Sequence, residues 1–471
     1  MTFDDDFTLT IAGRAIATEA MVAVINPATE AVFAHAPAAD SALLDKAVKA
    51  AQGAYPAWRD TPVAERRRGL LLLADAIETS AIELGALFTR EQGRPTPLAT
   101  REIKAGAAWL RAVAGQEVPV DTVEDSESRR VEVHHVPLGV VAAIVPWNFP
   151  FLLTIWKIAP ALLAGNTVVL KPSPYTPLCA LKLGEMARNI LPPGVFNVLS
   201  GDDALGPLMS SHPGFAKISF TGSTATGKRV MAAAANDLKR ITLELGGNDA
   251  AIVLADADPD EVAEAMFAGA FFNTAQVCIA TKRLYIHEDI YEAVRDRLHA
   301  LANKAVVGDG SGEGVTHGPL QNLAQYRRVK ALIDDAEATG LTLLRGSAVP
   351  EGPGYFLPLT LVDNPPEDSA VVREEAFGPV LPLLRFSDIE EVIARANDSE
   401  YGLAGSVWSR SVERALDVAQ RLNAGSVWIN QNRQVAAHVP FSGFKQSGFG
   451  VENGREGLLE FTQTKAIYVP K

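Results

Sequence analysis

The sequence predicts an α/β protein with two parallel-sheet domains and a small β arm. Three observations carry that expectation. From residue 138 to 246, short β-branched runs alternate with helix-length segments, the pattern of βαβ units in a doubly wound sheet. A second alternating set occupies 250 to 430. Ahead of both lies the polar stretch "DTVEDSESRRVEVHH" (121 to 135), whose partial alternation predicts an exposed hairpin or arm. The length of 471 residues gives room for two or three full-sized cores.

The first 118 residues read as mostly helical and amphipathic, a helical cover for another part of the chain. "SALLDKAVKAAQGAYPAW" comes after Asp40, and "PVAERRRGLLLLADAIE" has Thr61 as N-cap with Pro62 at the first helical position. Residues 136 to 165, "VPLGVVAAIVPWNFPFLLTIWKIAPALLAG", carry one formal charge, Lys157, and need a membrane test. Pro137, Pro146, Pro150 and Pro160 interrupt the segment, and lipid tolerates freed backbone groups only where protein satisfies them. A buried strand, a turn and a buried helix stopped by Gly165 are predicted instead. The strands of the first set are "GVVAAIV", "TVVL", "VFNVL", "AKISF" and "RITLEL". Those of the second are "AAIVL", "RLYIH", "VLPLLRF", "AGSVWS" and "GSVWI", with "PDEVAEAMFAGAFFN" as a helix between the first two. The final "GLLEFTQTKAIYVPK" ends in a short strand with no obvious sheet of its own.

Composition excludes several classes. Lys plus Arg is 43 against 56 for Asp plus Glu, a net charge of -13 that repels nucleic acid. The N-terminal "MTFDDDFTLT" lacks the basic and apolar regions of a signal peptide. Two cysteines, Cys179 and Cys278, have neither disulfide-framework nor metal-ligand spacing, so no metal is expected and a reducing cytoplasm fits.

Parallel sheets bind ligands at the carboxyl ends of their strands, so the residues after each strand are the place to look for chemistry. "TGSTATGKR" comes directly after "AKISF". Gly222, Gly227 and Lys228 fit a phosphate-binding loop, but Arg229 stands where a magnesium-holding Ser or Thr belongs. The turn still offers backbone N–H groups to a pyrophosphate, and a tight turn without a ligand fits as well. "KPSP" comes after "TVVL", "PWNFP" after the first strand, and "LELGGN" overlaps the end of the fifth. Cys278, in "FFNTAQVCIATKR", reads by itself as a packing thiol. Taken with Asn148 and Glu244 it also reads as a nucleophile with an oxyanion donor and a base.

In order along the chain, "PWNFP", "KPSP", "FTGSTATGK", "LELGGN", "FFNTAQVC", "EEAFGPV" and "PFSGFKQSG" resemble the motifs of the aldehyde dehydrogenase superfamily. The resemblance implies a Rossmann-like cofactor domain (1–118 and 138–246), a catalytic domain (247–446), and an oligomerisation arm with C-terminal strand (119–137 and 447–471). That strand would find its sheet on another subunit, in a homodimer or homotetramer. The resemblance makes Cys278 the nucleophile, Glu244 the deacylating base, Asn148 with the Cys278 amide the oxyanion hole, and Lys157 with Glu452 an accessory proton relay. It assigns the cofactor, NAD or NADP, to Lys171, Trp147, Gly222, Ser223, Gly246, Glu375 and Phe377. The implied reaction is oxidation of an aldehyde to an acid by way of a thiohemiacetal and a thioester. The alternatives are a coenzyme A-acylating relative, which tends to lack the glutamate, and a non-catalytic binding protein of the same fold.

Two positions depart from the family pattern. Ala275 stands where glycine is usual, so its methyl would narrow the site if φ is positive there. Pro174 stands where many members have a ribose-binding carboxylate, so NAD is expected with loose discrimination against NADP. For the substrate, the loop "NQNRQVAAHVPF" (430 to 441) is expected at the entrance, with Phe441 a wall, Arg433 a charge at the mouth, and Leu152, Leu153 and Trp156 apolar walls.

Overall fold

The computed structural model describes residues 6–471 of the chain. Five strands form the parallel centre of the first sheet, in the order Phe196–Val198, Thr167–Lys171, Val140–Ile144, Lys217–Thr221, Arg240–Glu244. These are the five β-branched runs of the first alternating set. The helix Pro150–Ala164, stopped by Gly165 at φ 99°, is buried along almost its whole length, which accounts for its lack of a polar face. Among the described residues no helix is long and apolar enough to cross a membrane.

The N-terminal region is not only helical. Leu9–Ile11 and Arg14–Ile16 form a hairpin that extends the first sheet by pairing antiparallel with Phe196–Val198. Ala12 and Gly13, at φ 52° and 70°, supply the positive dihedrals that a two-residue hairpin turn requires. Met21–Ile25 and Val32–Pro37 form a second hairpin. Runs of three to six residues are too short to stand out against the long helices beside them. Those helices are Ser41–Asp60, Val63–Thr79, Ala81–Gln92 and Thr96–Ala114. Asp40 caps the first by accepting from the Leu43 N–H at 2.8 Å. Thr61 does not cap the second: it closes the first, donating to the Ala57 carbonyl at 2.8 Å, and Pro62 takes the N-cap place.

The second sheet orders as Thr342–Arg345, Thr360–Asp363, Val380–Phe386, Arg283–His287, Ala250–Val253, Ala404–Trp408, Ser426–Ile429, parallel except at its first strand. Its first two strands are not apparent in the sequence pattern because loops and prolines surround them.

The stretch 121–135 is indeed a hairpin, Val120–Asp125 with Arg129–Pro137. The C-terminal strand Thr462–Pro470 corrects an expectation: it finds its sheet within its own chain, pairing with Arg129–Pro137 along nine residues. Residues before it do other things. Gly448–Phe449 pairs antiparallel with the end of Arg240–Glu244, forming the far edge of the first sheet, and Gly454–Leu459 is a short helix.

Candidate active site

The helix Pro259–Phe271 starts on Asp258, whose carboxylate accepts from the Asp260 and Glu261 N–H groups. It ends in a backbone that ordinary residues avoid: Asn273, Thr274 and Ala275 sit at φ 52°, 54° and 62°. Each non-glycine left-handed residue costs roughly 1–2 kcal/mol, so three in a row persist only if neighbours hold them. Thr274 Oγ1 donates to the Gly318 carbonyl at 2.8 Å. Gln276 Nε2 donates to the Asn273 carbonyl at 3.0 Å, and its Oε1 accepts from the Gln321 N–H at 2.8 Å. Ala275 thus has the positive φ that glycine would relieve, and its methyl is accommodated in a buried position. The loop delivers Cys278 to a cavity of about 200 Å³ that it shares with Glu244, Glu452 and Thr221.

Asn148 approaches from the turn after Val140–Ile144. Its Nδ2 donates to the Gln276 carbonyl at 3.0 Å, leaving the second amide hydrogen uncommitted. Its backbone carbonyl accepts from Asn273 Nδ2 at 3.2 Å and from Arg94 at 2.7 Å. Arg94 is fully buried, ion-paired to buried Glu102, bonded to Asn273 Oδ1 at 3.1 Å, and stacked 4.2 Å from the Phe149 ring centre. Glu102 also accepts from the Leu152 N–H at 3.1 Å. One buried guanidinium therefore ties the helical cover to both the asparagine turn and the cysteine loop. Sequence reasoning missed it, since an arginine and a glutamate near a helix start read as solvated.

Glu244 ends the strand Arg240–Glu244, 4 % exposed, and neither carboxyl oxygen has a hydrogen-bond partner. Burial first, then the nearby Glu452 carboxylate, pushes its pKa well above the usual carboxyl range, with Lys157 opposing. Lys157, wholly buried in the helix Pro150–Ala164, contacts Glu452 Oε1 at 2.5 Å and Ser219 Oγ at 3.2 Å. Glu452 is held in turn through its backbone, which exchanges bonds of 2.7 and 2.8 Å with Phe441. Burial likewise pushes the Cys278 thiol up to about 12; Lys282 opposes the shift, and Asp249, Glu244 and Glu375 add to it. Lys282 lies beneath the cysteine loop, donating to the Cys278 carbonyl at 2.5 Å and sitting 3.5 Å from Glu375. Cys179 is a different case: buried beside Glu91, its thiol raised well above the usual range, it packs under the cofactor sheet.

Of the residues assigned to a cofactor, Trp147, Lys171, Gly222, Ser223 and Gly246 lie at or just past the carboxyl ends of first-sheet strands, while Glu375 and Phe377 reach them from the loop before Val380–Phe386. Lys171 is buried, and its ammonium makes one long bond, 3.4 Å to the Pro172 carbonyl, while Asp202 and Asp203 act on it electrostatically. An ammonium with donors to spare beside two carboxylates suits the hydroxyls of a ribose. Gly222 opens the turn after Lys217–Thr221, and Ser223 caps the helix Thr224–Ala235, its Oγ accepting from the Thr226 N–H at 3.3 Å. A side chain on Gly246 would strike Glu375 Oε2 at 2.2 Å, and Glu375 Oε1 accepts from the Gly247 N–H at 3.0 Å. Phe377, at φ 51°, meets Trp147 edge to face with ring centres 5.5 Å apart. The partly unbonded Lys171 ammonium, the helix terminus and the glycine approach fit a dinucleotide.

On the other side of Cys278 the cavity is apolar. Leu152, Leu153, Trp156, Val435 and Phe441 line it. Trp156 stacks on Trp109 at 5.2 Å and meets Phe441 edge to face at 5.6 Å. Arg433 faces the same space and lies 4.4 Å from the Phe272 ring centre. Sequence reasoning missed Arg94, Glu102, Asn273, Gln276 and Lys282 around Cys278, and Asp202 and Asp203 near Lys171. A lysine or arginine within a few residues of a candidate nucleophile was the one available signal, and it pointed to Lys282.

Residues 15–467 match the model of the aldehyde dehydrogenase family. The chain is 43% identical over 449 residues to an aldehyde dehydrogenase, LUC3, of a Fusarium species, covering 95% of each. It is 41% identical over 462 residues to phenylacetaldehyde dehydrogenase of Pseudomonas fluorescens, covering 95% of this chain and 92% of that one. Among solved structures, the NAD+ complex of aldehyde dehydrogenase from Bacillus cereus superposes with a TM-score of 0.96 at 37% identity, over 99% of this chain and 96% of that one.

Proposed function

Because the chain belongs to the aldehyde dehydrogenase family, we propose that it oxidises an aldehyde to the carboxylic acid by covalent catalysis on Cys278, with NAD as acceptor. The observation that carries the reading is the meeting of Cys278, Glu244 and the cavity in which both lie, with Asn148 fixed against the same loop. NAD, when bound along Lys171, Gly222, Ser223, Gly246, Glu375, Phe377 and Trp147, supplies the acceptor for hydride. The Bacillus cereus relative, by its name, holds NAD+.

The chain's own residues account for the rest. Cys278 passes its proton to the ionised Glu244 carboxylate in the shared cavity, from which it leaves by Lys157 and Glu452, and the thiolate attacks the aldehyde carbon, so that the carbonyl oxygen becomes an oxyanion. The uncommitted Asn148 amide hydrogen and the Cys278 backbone N–H stabilise that charge, worth about 10²–10³ in rate for one donor. Once the carbon is oxidised, the acyl group remains as a thioester on Cys278. Glu244, without competing hydrogen bonds, takes a proton from water; its raised pKa makes it the stronger base once ionised. Water's oxygen joins the acyl carbon, the carbon–sulfur bond breaks, and Cys278 is regenerated. Lys157 and Glu452 form the proton path that returns Glu244 to its ionised form.

An aldehyde-dependent rise in NADH absorbance tests the reading, with acid and NADH formed in equal amounts. Addition of coenzyme A should produce no acyl thioester, because Glu244 favours water. Assembly is part of the proposal. Val120, Val123 and Tyr468 stay more than half exposed on the arm, a surface suited to a second subunit in a homodimer or homotetramer.

A further inference from the structure

We propose that Arg433 is an anion anchor, and that the preferred substrates are aldehydes bearing a carboxylate at the far end of an apolar body. This rests on the proposed aldehyde oxidation and names its substrate class.

Arg433 shares the cavity of Cys278 and makes neither a hydrogen bond nor an ion pair with any described residue. Its Nε is shielded from solvent and unbonded, an expensive state for a guanidinium. Its single contact of note is the face of Phe272, at 4.4 Å. The fully buried arginines are satisfied, Arg94 by Glu102 and Arg283 by the carbonyls of Asn248 and Ala396 at 2.9 and 2.8 Å, whereas Arg433 is half-buried and unpaired. An unpaired guanidinium facing a cavity is the exception.

The position is also built. Arg433 is held at φ 52°, a left-handed backbone that persists only when its surroundings impose it. They do so on both sides: Asn432 Nδ2 donates to the Ala265 carbonyl at 2.8 Å, and Trp428 Nε1 to the Gln434 carbonyl at 2.9 Å. The ring stacking further fixes the guanidinium.

The charge around the cavity then selects the ligand. Lys157 and Glu452 are ion-paired with one another, and burial disfavours the charged forms of Glu244 and Cys278. Arg433 is the one cationic side chain lining the cavity among the described residues, and none of them pairs with it. A substrate whose aldehyde carbon reaches Cys278, whose body lies on Leu152, Trp156 and Phe441, and whose carboxylate reaches Arg433 satisfies every group at once. A planar carboxylate matches the guanidinium fork.

The test compares matched pairs of aldehydes: 4-carboxybenzaldehyde with 4-methylbenzaldehyde, and an ω-carboxyalkanal with the alkanal of equal length. In the wild type kcat/KM for the carboxylated member should exceed that of its partner by about ten- to hundredfold in at least one pair, the value of a charge-assisted hydrogen bond. In Arg433→Met the ratio should collapse toward unity, and in Arg433→Lys it should be partly restored. A wild-type ratio at or below unity in both pairs overturns the proposal, as does a ratio unchanged in Arg433→Met. Should Arg433→Met not fold, inhibition of the wild type by terephthalate and by 4-methylbenzoate serves instead: tighter binding of the dicarboxylate supports the anchor, and equal binding overturns it. If no aldehyde of either kind reduces NAD, the proposed oxidation fails, a result distinct from the loss of the preference.

Discussion

The Asn148 side chain donates to the Gln276 carbonyl at 3.0 Å, which joins the turn after the first parallel strand to the loop that carries Cys278. The bond fixes the amide plane, and with it the direction of the remaining hydrogen. Asn148→Ala is expected to lower kcat by about 10²–10³, with cofactor binding kept. Asn148→Asp, which keeps the size and replaces the donor by an acceptor, should do no better. A kcat within about tenfold of wild type for either variant would remove Asn148 from the oxyanion site.

Cys278→Ala is expected to abolish aldehyde oxidation while leaving cofactor affinity nearly unchanged. The pH dependence of alkylation gives a second measurement. With the thiol pushed up to about 12, the thiolate fraction of the free protein grows with each added unit of pH. Alkylation by iodoacetamide should therefore speed up about tenfold per unit between about pH 7 and 10. Cys179, fully buried with its thiol raised well above the usual range, should remain unmodified in the native state, as peptide mapping would show.

Glu244→Gln should form acyl enzyme and stall. Rapid mixing would show up to one equivalent of NADH, then a weak steady state, and intact mass would show the adduct. The raised pKa of Glu244 also bears on stability. A carboxyl that holds its proton more tightly folded than unfolded contributes stability below its unfolded pKa of about 4.3, and that contribution is lost as pH rises through the folded value. Removing the ionisable group should accordingly raise the melting temperature of Glu244→Gln relative to wild type in alkaline buffer, with less difference in acid.

The cofactor end of the site yields a ratio to measure. Pro174 offers no carboxylate to a ribose, yet Asp202 and Asp203, on the loop after Phe196–Val198, act on Lys171 in its place. Their charge opposes an added 2′-phosphate. NAD should be preferred to NADP, and Asp203→Asn should narrow that preference several-fold in KM. Pro174→Glu should widen it. Unchanged ratios in both variants would put the ribose elsewhere.

Much of this was legible in the sequence, and the remainder was hidden for physical reasons. The parallel strands announced themselves because a strand buried on both faces must be a near-continuous apolar run, as in "GVVAAIV". The three-residue strand Leu9–Ile11 carries too little pattern to be seen, and its pairing with Phe196–Val198 is a tertiary fact. That Cys278, Glu244 and Asn148 come together could be anticipated because each lies after or at the end of a strand, or in a recognisable motif. Arg94 was not, because its role depends on Glu102, Asn148 and Asn273 arriving from three other places. Asp202 and Asp203 sit in a loop that no motif marks.

Arg94 supplies a further prediction. Arg94→Met removes a buried charge but strands Glu102, Asn273 and the Asn148 carbonyl, and losing one partner of a buried pair costs about 3–5 kcal/mol. The double variant Arg94→Met, Glu102→Met should regain much of that stability in thermal denaturation. It should not regain full kcat, because the guanidinium that braces the Asn148 carbonyl and the Asn273 side chain together would be gone, leaving only the direct bonds between turn and loop.

Assembly is checked by light scattering, which should give a dimer or tetramer. Deleting residues 461–471 removes the strand that pairs along Arg129–Pro137 and should dissociate or destabilise the protein. A stable wild-type monomer would contradict the proposal.

The two residues Gly448 and Phe449 pair with Glu244 and Leu243, and Leu245 donates to the Ser447 carbonyl at 2.9 Å. The strand that carries Glu244 thus has its open edge covered by chain that lies beyond the whole second sheet. At the opposite edge the strand Leu9–Ile11 does the same for Phe196–Val198. Neither half is a contiguous cassette. A recombination with one crossover, at any point between the two sheets, would join the first sheet to a foreign edge piece and leave the strand that carries Glu244 exposed to aggregation. Substitutions in the residues lining the cavity, in the 430–441 loop and in the loops at the strand ends, by contrast, leave both edge pairings in place.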